Sequence, residues 1–261
     1  MRIVVLVKQV PKDINVSLNP DFTVNRENIQ KITNPADLSA LALATDVKKR
    51  YGGEIICMTM GPSSAVSCLR EAAICGANEL YHICDPAFAG SDTFVTALVL
   101  STAIRLTGGA DLILCGRHAI DGETGQVGPE ISVMLDISCI THITSITEVS
   151  SGILLCHRFV GYETQLFSVN MPALVTVCDF FVAPVLPSIE VMRNASSLPI
   201  NILTAKDLDL VGINGRESSP TRVERVFIKE RDKRKVAFFE IDEGVEKIIK
   251  NLHPGTNNNE R

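Results

Sequence analysis

Arg2-Ile3-Val4-Val5-Leu6-Val7 follows the initial methionine as a run of branched apolar residues with no polar alternation. A strand wetted on one face alternates in polarity and a strand covered on both faces does not, so this run predicts an inner strand of a parallel sheet. Asn34-Pro35-Ala36-Asp37 then opens a Leu- and Ala-rich stretch reaching Tyr51, with Asp37 as the expected cap and Gly52-Gly53 as the stop. The cycle repeats with Glu54 to Thr59 as strand, Gly61-Pro62-Ser63 as turn and Ser64 to Cys75 as helix, Gly76 lying past its end. Glu79 to Cys84 and Phe94 to Leu106 form the next pair, the helix started by Ser91-Asp92 and stopped by Gly108-Gly109. Asp111 to Cys115 and about Gln126 to Leu135 form another. Strands alternating with helices of this length mean βαβ units, hence an α/β fold with a doubly wound, mostly parallel sheet.

After residue 138 the texture changes. Leu154 to Phe159 and Thr164 to Val169 flank Val160-Gly161-Tyr162 as an antiparallel hairpin edge, and Ala173 to Val177 is a further apolar strand behind Pro172. Prolines then recur at 184, 187, 199 and 220 and periodicity fades. Asp242 to Leu252 again reads as a helix, with Val245, Ile248, Ile249 and Leu252 on one face. The expected division is an α/β core over 1–184 and an extended C-terminal arm over 185–261 that ends in a helix. Such an arm buries little by itself and should pack on another subunit. Thr256 to Arg261 is expected to be disordered.

Composition narrows the function classes. A chain of 261 residues, 46% apolar and 21% charged, holds a sizeable core and is not a disordered sequence. Its 25 Lys/Arg against 30 Asp/Glu give a net charge of −5, so no global field draws it to nucleic acid or anionic lipid. The apolar run Ile3 to Val7 is too short for a signal-peptide core, and no uncharged run approaches about 18–20 residues. A soluble chain without membrane insertion is expected. Eight cysteines at 57, 68, 75, 84, 115, 139, 156 and 178 form no Cys-x-x-Cys pair and sit mostly in apolar runs, which suits a reducing, cytoplasmic setting. His82, His118, His142, His157 and His253 are not grouped with them at ligand spacing, so no metal site is expected.

The chemistry lies after the fourth strand, in Gly116-Arg117-His118-Ala119-Ile120-Asp121-Gly122-Glu123-Thr124-Gly125-Gln126-Val127-Gly128-Pro129. This loop leaves the carboxyl end of a buried strand and enters a helix, the place where open α/β sheets bind ligands. Its glycines permit close approach of backbone to ligand, and free N–H groups at the helix start suit phosphate. Composition leaves two readings open: nucleotide binding, or a tight loop whose glycines serve only turns. Leu6 to Gln9, Asn34 to Asp37 and Met60-Gly61 should converge on the same edge. There Lys8 is placed to meet a phosphate and Asp37 a ribose hydroxyl, with strand-end charge and helix cap as their plainer roles. The first βα turn, Lys8-Gln9-Val10-Pro11-Lys12-Asp13, lacks Gly-x-Gly-x-x-Gly, which argues against a standard dinucleotide-dehydrogenase site. No Gly-x-x-x-x-Gly-Lys-[Ser/Thr] loop or Gly-x-Ser-x-Gly elbow occurs either. Between Arg216 and Lys235 eight basic residues face four acids with Phe227 as the one aromatic, which suits an acidic protein partner better than single-stranded nucleic acid.

Val7-Lys8-Gln9-Val10, Asn34-Pro35, Met60-Gly61-Pro62, the Gly116 to Gln126 loop and Met171-Pro172-Ala173-Leu174-Val175-Thr176, in this order, resemble the β subunit of an electron transfer flavoprotein. Leu186-Pro187-Ser188-Ile189, Thr204-Ala205-Lys206-Asp207-Leu208 and Ser219-Pro220-Thr221 resemble later landmarks of that family. The resemblance implies an adenine-nucleotide α hydrolase-like fold and an αβ heterodimer, the terminal helix packing on the α subunit. One FAD, held mainly by α, exchanges electrons with an acyl-CoA dehydrogenase type enzyme, and β holds a second nucleotide. In simple carriers that nucleotide is AMP and the loop resembles Asp-Asp-Asp-Cys-Asn-Gln-Thr. In the bifurcating branch it is FAD and the loop resembles Asp-Gly-Asp-Thr-Ala-Gln-Val-Gly-Pro, with which Asp121 to Pro129 sides. That branch implies a hydride taken from NADH and electrons sent separately to the α-subunit FAD and to ferredoxin or flavodoxin.

Carried over residue by residue, the resemblance places cofactor contacts on Leu6, on Asn34, Pro35, Ala36 and Asp37, and on Met60. The remaining contacts fall on Gly116, Arg117, His118, Ala119, Ile120, Asp121, Gly122, Glu123, Thr124, Gly125, Gln126 and Val127. It implies no catalytic acid or base. Gly125 replaces the commoner Ala and Glu123 the commoner Asp. His118 stands where Gln is usual and is expected to be a polar loop contact. The Asn-Glu-Pro-Arg-Tyr-like stretch expected near Ala183-Pro184-Val185-Leu186 is missing, which leaves the docking dehydrogenase open.

Overall fold

Ile3, Val4 and Val5 of β1 (Arg2–Leu6) are completely buried, as a strand covered on both faces requires. The computed structural model describes residues 1–12, 30–183, 185–224 and 237–252. After β1 come β2 (Gln9–Pro11), β3 (Lys31–Thr33), α1 (Pro35–Tyr51), β4 (Glu54–Met60), α2 (Val66–Ile74), β5 (Glu79–Ile83), α3 (Thr93–Leu106) and β6 (Leu112–Gly116). The chain continues through α4 (Val127–Leu135), β7 (Ser138–Ser150), β8 (Ile153–Val160), β9 (Glu163–Asn170), β10 (Ala173–Val177), α5 (Ile189–Ser197), β11 (Ile200–Leu203) and α6 (Ile241–Leu252). Its contacts divide it into two units, Met1–Glu224 and Arg225–Arg261.

In the first unit a nine-stranded sheet runs β11-β5-β4-β1-β6-β10-β7-β8-β9, parallel from β11 through β7, with β8 antiparallel to both β7 and β9. β2 and β3 form a separate antiparallel pair. The chain winds from β1 through α1 to β4 and α2 to β5, then crosses by α3 to β6 on the other side of β1. The direction of winding therefore reverses between β1 and β6, and their carboxyl ends border the crevice such a reversal creates. Successive residues supply opposite faces. Ile3, Val5, Ile55, Cys57 and Leu114 pack with Leu41 of α1 and Leu69 of α2. Val4, Leu6, Ile56, Met58 and Ile113 pack with Val99 and Ile104 of α3 and Ile131 of α4.

Helix boundaries follow local chemistry. Asn34, rather than Asp37, is the N-cap residue of α1, with Pro35 in the first turn and Gly52 at φ 74° ending it. Asp92 caps α3 by accepting from Val95 N at 3.0 Å. The expected hairpin is β8 and β9, whose tip has Gly161 at φ 61°.

The structure extends the expected sheet at both flanks. The 13-residue β7 fills the place between β10 and β8. Its pairing with β10 slips between Val175 and Val177. At the far edge β11 pairs parallel with β5, and Arg70 Nη1 of α2 donates to Leu198 O at the end of α5 at 2.5 Å. Residues 185–224, grouped with an arm on sequence grounds, thus add a helix and an edge strand to the first unit. In the second unit, α6 exposes Ile241, Val245, Ile248, Ile249 and Leu252, and Lys247 Nζ lies 3.6 Å from the Phe239 ring centroid. The terminal Thr256 to Arg261 and most of the basic run, from 225 on, lie outside the described residues.

Candidate functional site

The carboxyl ends of β1 and β6 are tied together by Asp37 in the first turn of α1. Its Oδ2 accepts from Lys8 N at 2.8 Å and its Oδ1 from Gly116 N at 2.9 Å. Both oxygens therefore serve the fold, and the side chain is buried. Burial pushes its pKa up from 3.8 to about 6, against the hydrogen bonds and the Lys8 charge, which favour the anion. The proton is bound more strongly in the folded than in the unfolded chain, so this residue's contribution is fully present below pH 3.8 and is lost as pH rises through 6. The expected loss is on the order of 3 kcal/mol between those limits. Urea unfolding at stepped pH should show that decline in the wild type and not in Asp37→Asn; equal slopes in the two proteins would contradict it.

Asn34 holds the loop itself. Completely buried, it donates from Nδ2 to His118 O at 2.8 Å and accepts from Ile120 N at 3.2 Å. Lys8 Nζ reaches both carboxylate oxygens of Asp121 at 2.8 Å, so its partner is the loop. The two side chains are 49% and 32% exposed, which limits such a pair to about 1 kcal/mol or less. Arg117 N donates to Val177 O at 2.9 Å, tying the loop to β10. Gly125 takes φ 63° and Glu123 φ 51°, so the loop turns through two left-handed residues before α4.

On the β10 and β7 side an open cleft of about 440 Å³ is lined by Arg117, His118, Glu123, Thr124, Gly125, Thr141, His142 and Thr176. Five of these belong to the predicted loop. Thr141, His142 and Thr176 were not among the predicted contacts: the first two come from a strand whose Ser/Thr-rich sequence gave no apolar run, and Thr176 read only as part of the Met171 to Thr176 motif and its strand. Arg117 Nε lies 2.9 Å from Asp179 Oδ1, but off line for a hydrogen bond, so the contact is an ion pair. Burial, with Arg117, Arg158 and His118 adding to it, pushes His142 below the usual imidazole range.

The other predicted positions are less direct. Leu6 packs into the core under α3, and Met60, at the end of β4, packs against the same core. Ala36 is buried against Gly116, and Pro35 and Val127 begin their helices. Cys115, beneath the loop, is buried and its thiol pushed well up by that burial, which leaves it inert at neutral pH. Among the described residues no cluster of His, Cys, Asp and Glu is suited to hold a metal ion.

The profile of the electron transfer flavoprotein domain matches residues 21–208. The electron transfer flavoprotein subunit β of Thermoanaerobacterium thermosaccharolyticum is 39% identical over 229 residues, covering 85% of this chain and 86% of its own. The chain belongs to the β subunits of the electron transfer flavoproteins. Two further relatives are named for CoA-thioester reductases. The acryloyl-CoA reductase electron transfer subunit γ of Anaerotignum propionicum is 36% identical over 239 residues, covering 87% of this chain and 88% of its own. A subunit of the caffeyl-CoA reductase–Etf complex of Acetobacterium woodii is 36% identical over 233 residues, with 87% of each chain covered.

Proposed function

We propose that this β subunit holds its own FAD in the loop from Gly116 to Val127. On this reading it takes electrons from NADH, and a bifurcating complex passes them both to the α-subunit FAD with an acyl-CoA dehydrogenase type partner and to ferredoxin or flavodoxin. The observation that carries the reading is the loop Asp121-Gly122-Glu123-Thr124-Gly125-Gln126, fastened by Asn34 at the crevice between β1 and β6. Relatives named for acryloyl-CoA and caffeyl-CoA reductases support it.

The residues present fit a nucleotide. Gly116 leaves no room for a side chain against α1, which lets the loop start close to the sheet. The cleft of about 440 Å³ is of ligand-site size. Arg117, His118 and Thr124 would hold phosphate groups, and the loop backbone around Gly122 and Gly125 would lie against the ligand. A bound flavin supplies hydride acceptance and one-electron release, while the protein supplies position and electrostatics. The alternative is AMP as a structural nucleotide in a simple electron carrier, which the same loop would hold by its phosphate.

The exposed apolar face of α6 supports packing on the α subunit. Eight free thiols support a cytoplasmic location, and no described helix is long and apolar enough to cross a membrane. Anaerobic titration of the αβ complex with NADH tests the hydride step. Loss of oxidised-flavin absorbance at stoichiometric NADH is the expected result, and an unchanged spectrum contradicts it.

A further inference from the structure

We propose that the cleft between the loop and β7 is a phosphate subsite in which His142, from outside the loop, acts with Arg117 and His118 on a phosphoryl group. The inference deepens the nucleotide reading by adding a residue from another strand.

Three observations converge on it. First, His142 occupies the slip in β7 at φ 62°, with its N–H donating to Thr176 Oγ1 at 3.0 Å. A left-handed conformation is unfavourable for an ordinary side chain and is kept where the surroundings over-determine it, often at ligand sites. Second, Arg117 Nε is buried without a hydrogen bond, its ion pair with Asp179 being misaligned. That guanidinium lines the same cleft as His118, His142, Thr124 and Thr141. Third, arginines from two elements act on His142. Arg117 and His118 come from the loop and Arg158 from β8, while the acids are Glu123 on the cleft wall and Asp179, which is paired with Arg117.

The electrostatics set a sign. Burial and the neighbouring cations favour a neutral imidazole in the free protein. A phosphoryl group in the cleft reverses this balance, so its binding takes up a proton at His142 and weakens as pH rises through the imidazole range. The phosphoryl group comes either from an adenine nucleotide held by the loop or from a separate phosphorylated ligand.

The test is titration calorimetry of the full-length chain with adenosine, AMP and inorganic phosphate, near pH 6.5 and near pH 7.5, in buffers of different ionisation enthalpy. The comparison is with His142→Asn, since Asn tolerates the left-handed backbone without carrying a cation. In the wild type, AMP and phosphate should bind with proton uptake, more tightly at the lower pH. In His142→Asn both should bind about tenfold more weakly, the loss of one charged hydrogen bond, with proton uptake reduced and adenosine unaffected. Displacement of phosphate by AMP identifies the nucleotide as the source, and simultaneous binding identifies a separate ligand. If only phosphate binds, with uptake that depends on His142, the subsite stands and the nucleotide reading fails. Equal affinities and equal proton uptake in the two proteins overturn the proposal, as does weaker binding with unchanged uptake or no binding of phosphate and AMP.

Discussion

Gly116→Ala is expected to destabilise the protein by about 3 kcal/mol, the upper range for forcing extra volume into a packed core. An added Cβ there is in hard contact with Asp37 Oδ1 and lies 2.7 Å from Ala36 Cβ and 2.9 Å from the Ala36 carbonyl carbon. Neither neighbour can yield. Ala36 is backbone in the first turn of α1, and Asp37 is fixed by the amides of Lys8 and Gly116. Relief requires α1 to move off β6, which breaks the tie between the carboxyl ends of β1 and β6. Thermal unfolding should show a drop of about 10 °C in Tm for a unit of this size. A drop of a degree or less would mean that the close approach of α1 to β6 is not what holds the loop base.

Asn34→Asp should be nearly as costly, and more damaging to binding than its small change in shape suggests. The substitution turns the donor that serves His118 O into a carboxylate oxygen facing a carbonyl at hydrogen-bond distance, inside a completely buried site that already contains Asp37. A lost hydrogen bond, an unsatisfied carbonyl and a buried charge together predict a loss of about 3 kcal/mol. With the loop released at His118 while the acceptor for Ile120 N is kept, nucleotide retention should fall about tenfold. Denaturant unfolding together with the nucleotide content of the purified complex reads both effects. Normal retention would show that Asn34 is a structural residue of α1 alone.

The alternation of strands and helices was legible because inner strands of a parallel sheet cannot alternate in polarity. β1, β4, β6 and β10 each read as a continuous apolar run, and each is buried on both faces. β7 was not legible, since Ser138-Cys139-Ile140-Thr141-His142-Ile143 mixes polar and apolar residues around a slip in register. β11 is four residues behind Pro199, and its pairing with β5 lies roughly 120 positions away in sequence, beyond the reach of any local period. The convergence of Lys8, Asn34, Asp37 and the 116–127 loop followed from strand order alone. The use of each side chain did not. Asp37 read as a cap or a ribose contact and its oxygens staple two strand ends, while Lys8 read as a strand-end charge or a phosphate contact and its ammonium pairs with Asp121. The left-handed backbone of His142 was hidden because it comes from a bulge, which no residue pattern in β7 announces.

The count of nucleotides in the purified αβ complex tests the central claim most directly. After denaturation, the released FAD and AMP are separated and expressed per dimer. Two FAD and no AMP are expected if the loop from Gly116 to Val127 holds a flavin of its own. One FAD with one AMP would contradict that account and leave this chain as the structural half of a one-flavin carrier.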